Sequence, residues 1–248
     1  MSEPRTPGRE YEPAVASRQV LVIGGTSGIG AAVAERFARD GAEVTVAGLD
    51  SSSVPETLAT KVDLAELDIR DNGAVETLIS RFSTLDVLVN AAGILQRDEE
   101  FRPEVFSDIL AVNLTGTMRA STAAHPLLAQ SSGCIVNIAS MLSYFGGPRV
   151  PAYSASKGGI VQLTKSFAVA WAADGVRVNA VAPGWIRTNM TRELQESPEA
   201  AEQIIRRTPM GTWGEAADVA AAVAFLAGPD AAFITGAVLP VDGGYLAT

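Results

Sequence analysis

Short apolar runs alternate along the chain with stretches whose apolar residues recur every three or four positions. Val20-Leu21-Val22-Ile23 is apolar at every position, the pattern of a strand buried on both faces. Gly24 stops it. Ile29, Val33 and Phe37 then fall at i, i+4 and i+8, the stripe of an amphipathic helix that Gly41 ends. Val44–Ala47 reads as the next strand. A strand near 64–67, a helix near 72–82, a strand at 85–90, mostly helix from 104 to 130 and a strand at 134–139 continue the alternation. A helix over 152–173 carries Ile160, Leu163, Phe167 and Trp171 in one stripe. Strand 176–182, a helix at 215–227 closed by Gly228-Pro229, and strand 237–241 complete it. Strands alternating with helices predict βαβ units, hence a single doubly wound α/β domain over 18–248: about seven parallel strands with helices on both faces. Residues 1–17 hold three prolines among mixed charges with no apolar period, which predicts a flexible arm.

Composition narrows the function classes. Nineteen Lys+Arg against 28 Asp+Glu give a formal charge of −9. Phosphate backbones and anionic lipid surfaces need concentrated basic residues, so nucleic acid and membrane are not expected partners. One cysteine, Cys134, and one histidine, His125, leave no Cys- or multi-His metal site. His125 reads as a surface or packing residue and Cys134 as a small buried one, while Phe225 and Leu226 read as core. A lone cysteine suits a reducing compartment. No run approaches the roughly 18 apolar residues of a spanning helix, and the N-terminus lacks the apolar segment of a secretory signal. The expectation is a cytoplasmic protein with a small-molecule substrate and no metal.

The turn after the first strand, Gly24-Gly25-Thr26-Ser27-Gly28-Ile29-Gly30, opens a helix. Glycines there allow positive φ and close backbone approach, and a helix N-terminus offers free N–H groups to a pyrophosphate. A glycine-rich connection without a ligand is the plainer alternative. Asp50, 20 residues after Gly30, is spaced to hold the adenosine ribose hydroxyls, with a solvated loop aspartate as its alternative. Neither Gly48, Leu49 nor Ser27 is basic, so nothing is expected to pair with a 2′-phosphate. NAD is expected, with NADP not excluded.

Tyr153 and Lys157 stand at i and i+4 on one helix face. A phenol is a poor base at neutral pH, with a reference value near 10. A nearby ammonium and a cationic nicotinamide would lower it, so that Tyr153 could exchange a proton with an alcohol or ketone. Ser140 closes the preceding strand, where ligands gather in open α/β sheets. Asn113 lies within a predicted helix, an unfavourable place for asparagine. Taken singly, the plainer alternatives are an exposed surface pair for Tyr153 and Lys157, an N-cap or turn serine for Ser140 and a satisfied polar helix residue for Asn113.

With these residues together, the chain resembles the short-chain dehydrogenase/reductase family from about residue 19 to 248. The glycine turn fits that family's Thr-Gly-x3-Gly-x-Gly with Ile23 in place of threonine, and Asn90-Ala91-Ala92-Gly93 fits Asn-Asn-Ala-Gly with Ala91 substituted. Asn113, Ser140, Tyr153 and Lys157 stand at the family's catalytic positions. Pro183-Gly184 with Thr188 fits the turn that holds the nicotinamide, and Asp242-Gly243-Gly244 fits the C-terminal motif. The resemblance implies a Rossmann-like fold and hydride exchange with a nicotinamide cofactor. It makes Tyr153 the acid/base, with Lys157 lowering its pKa and holding the nicotinamide ribose. Ser140 would bond the reacting oxygen and Asn113 would anchor a water relay to Lys157. It adds Asp68, Ile69, Asn90, Ala91, Gly93 and Ile186 to the cofactor residues. Relatives using NAD usually carry aspartate at the position of Gly48, which is a departure here. It also implies a homotetramer built through two long helices.

The second half, with Asn137–Ser143, Arg149-Val150-Pro151 and Trp213-Gly214, resembles the family's sugar-acid branch. A secondary alcohol or ketone on a small polar substrate such as a sugar acid is expected. The alternatives are NADPH-dependent reduction of a 3-oxoacyl carrier and a dinucleotide-binding sensor without turnover. An anionic substrate approaching a chain of charge −9 needs local positive charge, and Arg149 and Arg187 are the candidate carboxylate clamps, with solvated surface arginines as the plainer alternative.

Overall fold

A computed structural model describes residues 17–248; the expected arm, Ser17 excepted, lies outside the described residues. The strands are β1 (Gln19–Ile23), β2 (Glu43–Gly48), β3 (Asp63–Glu66), β4 (Val87–Asn90), β5 (Cys134–Ile138), β6 (Arg177–Pro183), β7 (Ile186–Arg187), β8 (Gly214–Glu215) and β9 (Val238–Val241). The main sheet runs β3-β2-β1-β4-β5-β6-β9, and every neighbouring pair is parallel. β7 and β8 form a separate parallel pair. The strand order reverses between β1 and β4, and ligands bind outside the carboxyl ends of strands at such a switch point.

The helices are α1 (Gly28–Arg39), α2 (Glu56–Ala59), α3 (Asn72–Ile79), α4 (Pro103–Leu110), α5 (Thr117–Ser131), α6 (Pro151–Trp171), α7 (Arg192–Glu196), α8 (Pro198–Arg207) and α9 (Ala216–Ala227). Successive strand residues point to opposite faces, which accounts for the unbroken apolar run in β1. Val20 and Val22 pack with Val33 and Phe37 of α1 and Val223 of α9. Leu21 and Ile23 pack on the other face with Leu78 of α3 and Leu128 of α5. α6 lies on this second face, burying Ile160 against Ala180 and Ala182 of β6. Among the described residues, no helix is long and apolar enough to cross a membrane.

Three local expectations differ from the structure. Phe225 is 44% exposed, whereas Leu226 is buried. Val219, Val223 and Leu226 form the inner stripe of α9, and Phe225 sits about 100° away around the helix. The helical stretch 104–130 is broken at Ala111–Gly116 by a π-helical turn. On α6 the buried line is Ile160, Thr164 and Ala168. Phe167 and Trp171 stack on each other at 4.1 Å at the edge of that line, and His125 stacks on Trp171 at 4.5 Å.

Candidate active site

A cleft of about 570 Å³ opens along the carboxyl ends of β1, β2 and β4. Gly24, Thr26, Ser27, Gly28, Ile29 and Gly30 line it, as do Asp50, Asp68, Ile69, Ala91, Gly93, Tyr153, Lys157 and Thr188. Asn90 does not. Its amide is buried beneath the sheet end, donating to Ser121 Oγ (3.0 Å) and Asn137 Oδ1 (2.9 Å). Pro183, Gly184 and Ile186 line the adjoining cavity instead.

The glycine turn fits a dinucleotide. Gly24 has φ +81°, and a Cβ there would stand 2.2 Å from Ala92 N, so only glycine lets β1 turn against the β4 loop. Gly28 has φ +54°, and its missing Cβ would project toward the Thr188 methyl at 3.5 Å, partly filling the cradle between them. Ser27 stands at the N-cap of α1 without a side-chain cap bond. The first-turn N–H groups are therefore left for an anion.

At the outer end, a Cβ at Gly48 would lie 2.8 Å from the Thr26 methyl, a physical reason for glycine at the position where the resemblance led to an expectation of aspartate. Asp50, two residues on, lines the cleft. Its Oδ1 accepts from Ser52 N (2.9 Å) and Ser52 Oγ (2.6 Å), leaving Oδ2 without a recorded partner. These bonds hold its carboxyl below the usual range, so it stays charged. Arg70 is a cation in this cleft that the sequence reading did not identify, and its guanidinium pairs with Asp68 and Asp108, each at 2.7 Å. Asp68, expected as a cofactor residue, is thus engaged by Arg70, which lowers its carboxyl's pKa.

Tyr153 and Lys157 occupy the first two turns of α6, and Lys157 Nζ stands 5.6 Å from the Tyr153 ring centroid. Nζ donates to Ile138 O at 2.7 Å. Only 3% of Lys157 is exposed, and burial lowers its amine to about 8. Burial pushes the Tyr153 phenol up to about 12; a hydrogen bond with Ser140 and the charge of Arg97 act against this, and Glu100 adds to it. The expectation that Lys157 depresses the phenol is therefore not what the protein alone provides, because desolvation outweighs every charge around the ring. A bound nicotinamide cofactor would supply the hydride chemistry and, in its oxidised form, a positive charge to the site that Tyr153 and Lys157 line.

Ser140 sits just past β5. Its Oγ accepts from Leu142 N (3.1 Å), which fixes it at the start of a short turn. Asn113 lies in the π-helical turn and is fully buried. Its Oδ1 accepts from Ile94 N (2.8 Å), and its Nδ2 donates to Ile94 O (2.9 Å) and Ser156 Oγ (3.1 Å). A Cβ on Gly93 would be 3.5 Å from Lys157 Nζ and 3.6 Å from Asn113 Oδ1, so both groups flank that glycine. The widened π turn resolves the puzzle of an asparagine within a helix, since such turns aim side chains into sites.

Beside the cleft, sharing Tyr153 and Thr188 with it, lies a second cavity of about 550 Å³. The segment near 189–210, whose sequence carries no readable chemistry, forms α7 and α8 here and supplies Leu194, Gln203 and Ile204 to its wall. The two expected clamps are engaged elsewhere. Arg149 grips Asp98 through Nε (3.0 Å) and Nη2 (2.5 Å). Arg187 lies outside this cavity and pairs with Glu215 at 3.2 Å. Two other arginines line the cavity. Arg97 has 17% of its side chain exposed, with only Glu193 at 3.7 Å as an ionic partner. The Arg207 guanidinium lies 4.4 Å from the Tyr245 ring centroid and 5.3 Å from that of Phe145. Among the described residues it has no carboxylate within 4.0 Å. No motif or spacing in the sequence distinguishes it.

A family profile described as enoyl-(acyl carrier protein) reductase matches residues 24–246. The 2-(R)-hydroxypropyl-CoM dehydrogenase of Xanthobacter autotrophicus is 42% identical over 248 residues, covering 93% of this chain and 99% of that protein. The 2-dehydro-3-deoxy-D-gluconate 5-dehydrogenase of Bacillus subtilis is 37% identical over 243 residues, covering 92% and 94% respectively. A solved structure described as 2-deoxy-D-gluconate 3-dehydrogenase from Agrobacterium tumefaciens, with bound NADP, superposes with a TM-score of 0.88 at 37% identity, covering 96% of this chain and all of that one.

Proposed function

The chain belongs to the short-chain dehydrogenase/reductase family, and we propose that it oxidises the secondary alcohol of a small anionic hydroxy compound, a sugar acid foremost, with NAD. Tyr153 exchanges the proton with the reacting oxygen and Ser140 bonds that oxygen. Lys157 holds the nicotinamide ribose, and Asn113, which bonds the backbone of Ile94, anchors a water relay to Lys157. Glycine-turn N–H groups hold the pyrophosphate, and Asp50 takes the ribose hydroxyls through its free oxygen. The lone charge and cysteine arithmetic supports a cytoplasmic setting. The family resemblance supports a homotetramer, for which light scattering should return four times the 25.8 kDa chain mass.

The observation behind the anionic substrate is the pair Arg97 and Arg207 facing one cavity in a chain of charge −9. Guanidinium forks suit carboxylates; among the described residues Arg207 has no carboxylate partner, and Arg97 meets Glu193 only at 3.7 Å, against 2.5 Å for Arg149 and Asp98. The test is a panel of aldonates, their alditols, 3-oxoacyl esters and 2-(R)-hydroxypropyl-CoM, each with NAD and NADP. A charge-assisted hydrogen bond contributes about 1.5–3 kcal/mol, so Arg207→Ala or Arg97→Ala lowers kcat/KM for an aldonate about 10- to 150-fold and hardly affects its alditol. Arg149→Ala lowers both equally. Equal losses on acid and alditol with Arg97→Ala and Arg207→Ala refute the anionic reading, and preference for 3-oxoacyl esters with NADPH replaces it with the carrier reductase.

A further inference from the structure

Glu100 is the one carboxylate-bearing residue with no exposure at all among the described residues. It follows Asp98 and Glu99, so the sequence presents it as part of an exposed acidic run. In the fold it turns inward. Its Oε2 accepts from Tyr153 N at 2.8 Å and its Oε1 from Gln96 N at 3.0 Å. No arginine or lysine lies within ion-pair distance of it among the described residues.

Its place explains how so buried an acid is tolerated. α6 begins Pro151-Ala152-Tyr153, and its N-cap, Val150, offers no side-chain acceptor. Pro151 has no N–H to satisfy, but the Tyr153 N–H is one of the orphan donors of a first turn. Glu100 supplies the missing acceptor from a distant loop, and the positive end of a 21-residue helix favours an anion there. The same junction is closed outside by Asp98 N donating to Arg149 O at 2.9 Å and by the Arg149–Asp98 ion pair. The loop tied down in this way carries Arg97.

We infer that Glu100 is a positioning residue for the acid/base tyrosine: its buried carboxylate fixes the first turn of α6 against the 94–101 loop and sets the local charge under which Tyr153 works. The inference rests on the reading of Tyr153 as acid/base and adds a residue that reading does not contain. The phenol has Lys157 on its own helix, Arg97 and Glu100 on the loop, the Asp98–Arg149 pair at the junction, and Glu193 beside Arg97 on α7. Glu100 is the negative group bonded directly to the tyrosine's own backbone.

The test compares Glu100→Gln and Glu100→Asp with wild type in alcohol oxidation by NAD from about pH 6 to 10, using the fastest alcohol of the panel above, together with amide hydrogen exchange across residues 150–157. Glutamine removes the charge and one acceptor; aspartate keeps the charge and falls one methylene short. A nearby anion opposes phenol ionisation. Glu100→Gln therefore moves the midpoint of the rising limb of kcat about one pH unit lower, and looser geometry reduces the plateau about tenfold. Glu100→Asp leaves the midpoint and reduces kcat, and the Tyr153 amide exchanges faster in both. An unmoved midpoint in Glu100→Gln overturns the charge role, and unchanged exchange at Tyr153 in both variants overturns the positioning role. Tyr153→Phe run alongside separates the two readings. Wild-type kcat in that variant removes the acid/base assignment, while Tyr153 amide exchange still decides whether Glu100 holds the turn.

Discussion

Lys157→Met should make the protein more stable at neutral pH while abolishing turnover. Lys157 is 3% exposed, and burial lowers its amine from 10.5 to about 8. Below about pH 8 the lysine is protonated in both folded and unfolded chains, and the folded chain bears the full desolvation penalty. Between about 8 and 10.5 the folded chain releases its proton first, so stability rises with pH through that window. At roughly 1.4 kcal/mol per pH unit the penalty is about 3 kcal/mol. Methionine matches the side chain's length and volume but loses the bond to Ile138 O, about 1 kcal/mol. The net gain near pH 7 is about 2 kcal/mol, or roughly 4–8 °C in Tm for a domain of this size. Thermal denaturation of both proteins at about pH 7 and pH 10.5 reads it, with the difference closing at the higher pH. A Lys157→Met protein that melts below wild type at pH 7, or a gap independent of pH, refutes the reasoning. The result would make this lysine a case of stability given up for function.

Tyr153→Phe keeps the ring packing and removes the hydroxyl. kcat should fall at least ~100-fold, the usual scale for loss of a general acid/base, with NAD binding by fluorescence titration unchanged; near-wild-type kcat sinks the assignment. Asp50→Ala should raise kcat/KM for NADP relative to NAD about tenfold, since it removes the charge facing a 2′-phosphate. If the ratio stays put, Arg70 rather than Asp50 governs cofactor choice, and steady-state kinetics with both cofactors decides between them.

The sheet was legible because a parallel sheet covered on both faces writes apolar runs such as 20–23 and 134–136 into the chain, and because the glycine turn sits where β1 must meet α1. The proposed reacting pair was legible through spacing, as Tyr153 and Lys157 share a helix face. The arginines proposed to face the substrate were not legible. Whether an arginine is free depends on which carboxylates the fold brings to it, and Asp98 lies 51 residues from Arg149. Glu100 was hidden for the same reason, since nothing in a run of acids tells which one turns inward. Arg70 is hidden in the sequence because it lies 20 residues beyond Asp50, and only the pairing of β3 with β2 brings the loop after β3 to the same cleft.

The placement of α6 brings these observations under one physical requirement. A proton-transfer group displaced by about 1 Å can lose a hundredfold in rate, yet the buried side of α6 is lined by small and β-branched residues, Thr164 and Ala168 among them, which resist sliding weakly. Polar bonds from three different elements supply what that packing lacks. Lys157 Nζ ties the helix to the end of β5 through Ile138 O, and Thr164 Oγ1 accepts from Asn137 Nδ2 of the same strand at 2.9 Å. Asn113 joins it to the π-helical turn through Ser156 Oγ, and Glu100 holds its first turn through Tyr153 N. Each bond is directional and buried, so a shift of the helix along its axis would leave several polar groups unsatisfied at once. A sequence that needed only a stable helix would fill these positions with larger apolar residues. This one places lysine, asparagine and glutamate there, and their common effect is to fix where the Tyr153 hydroxyl stands.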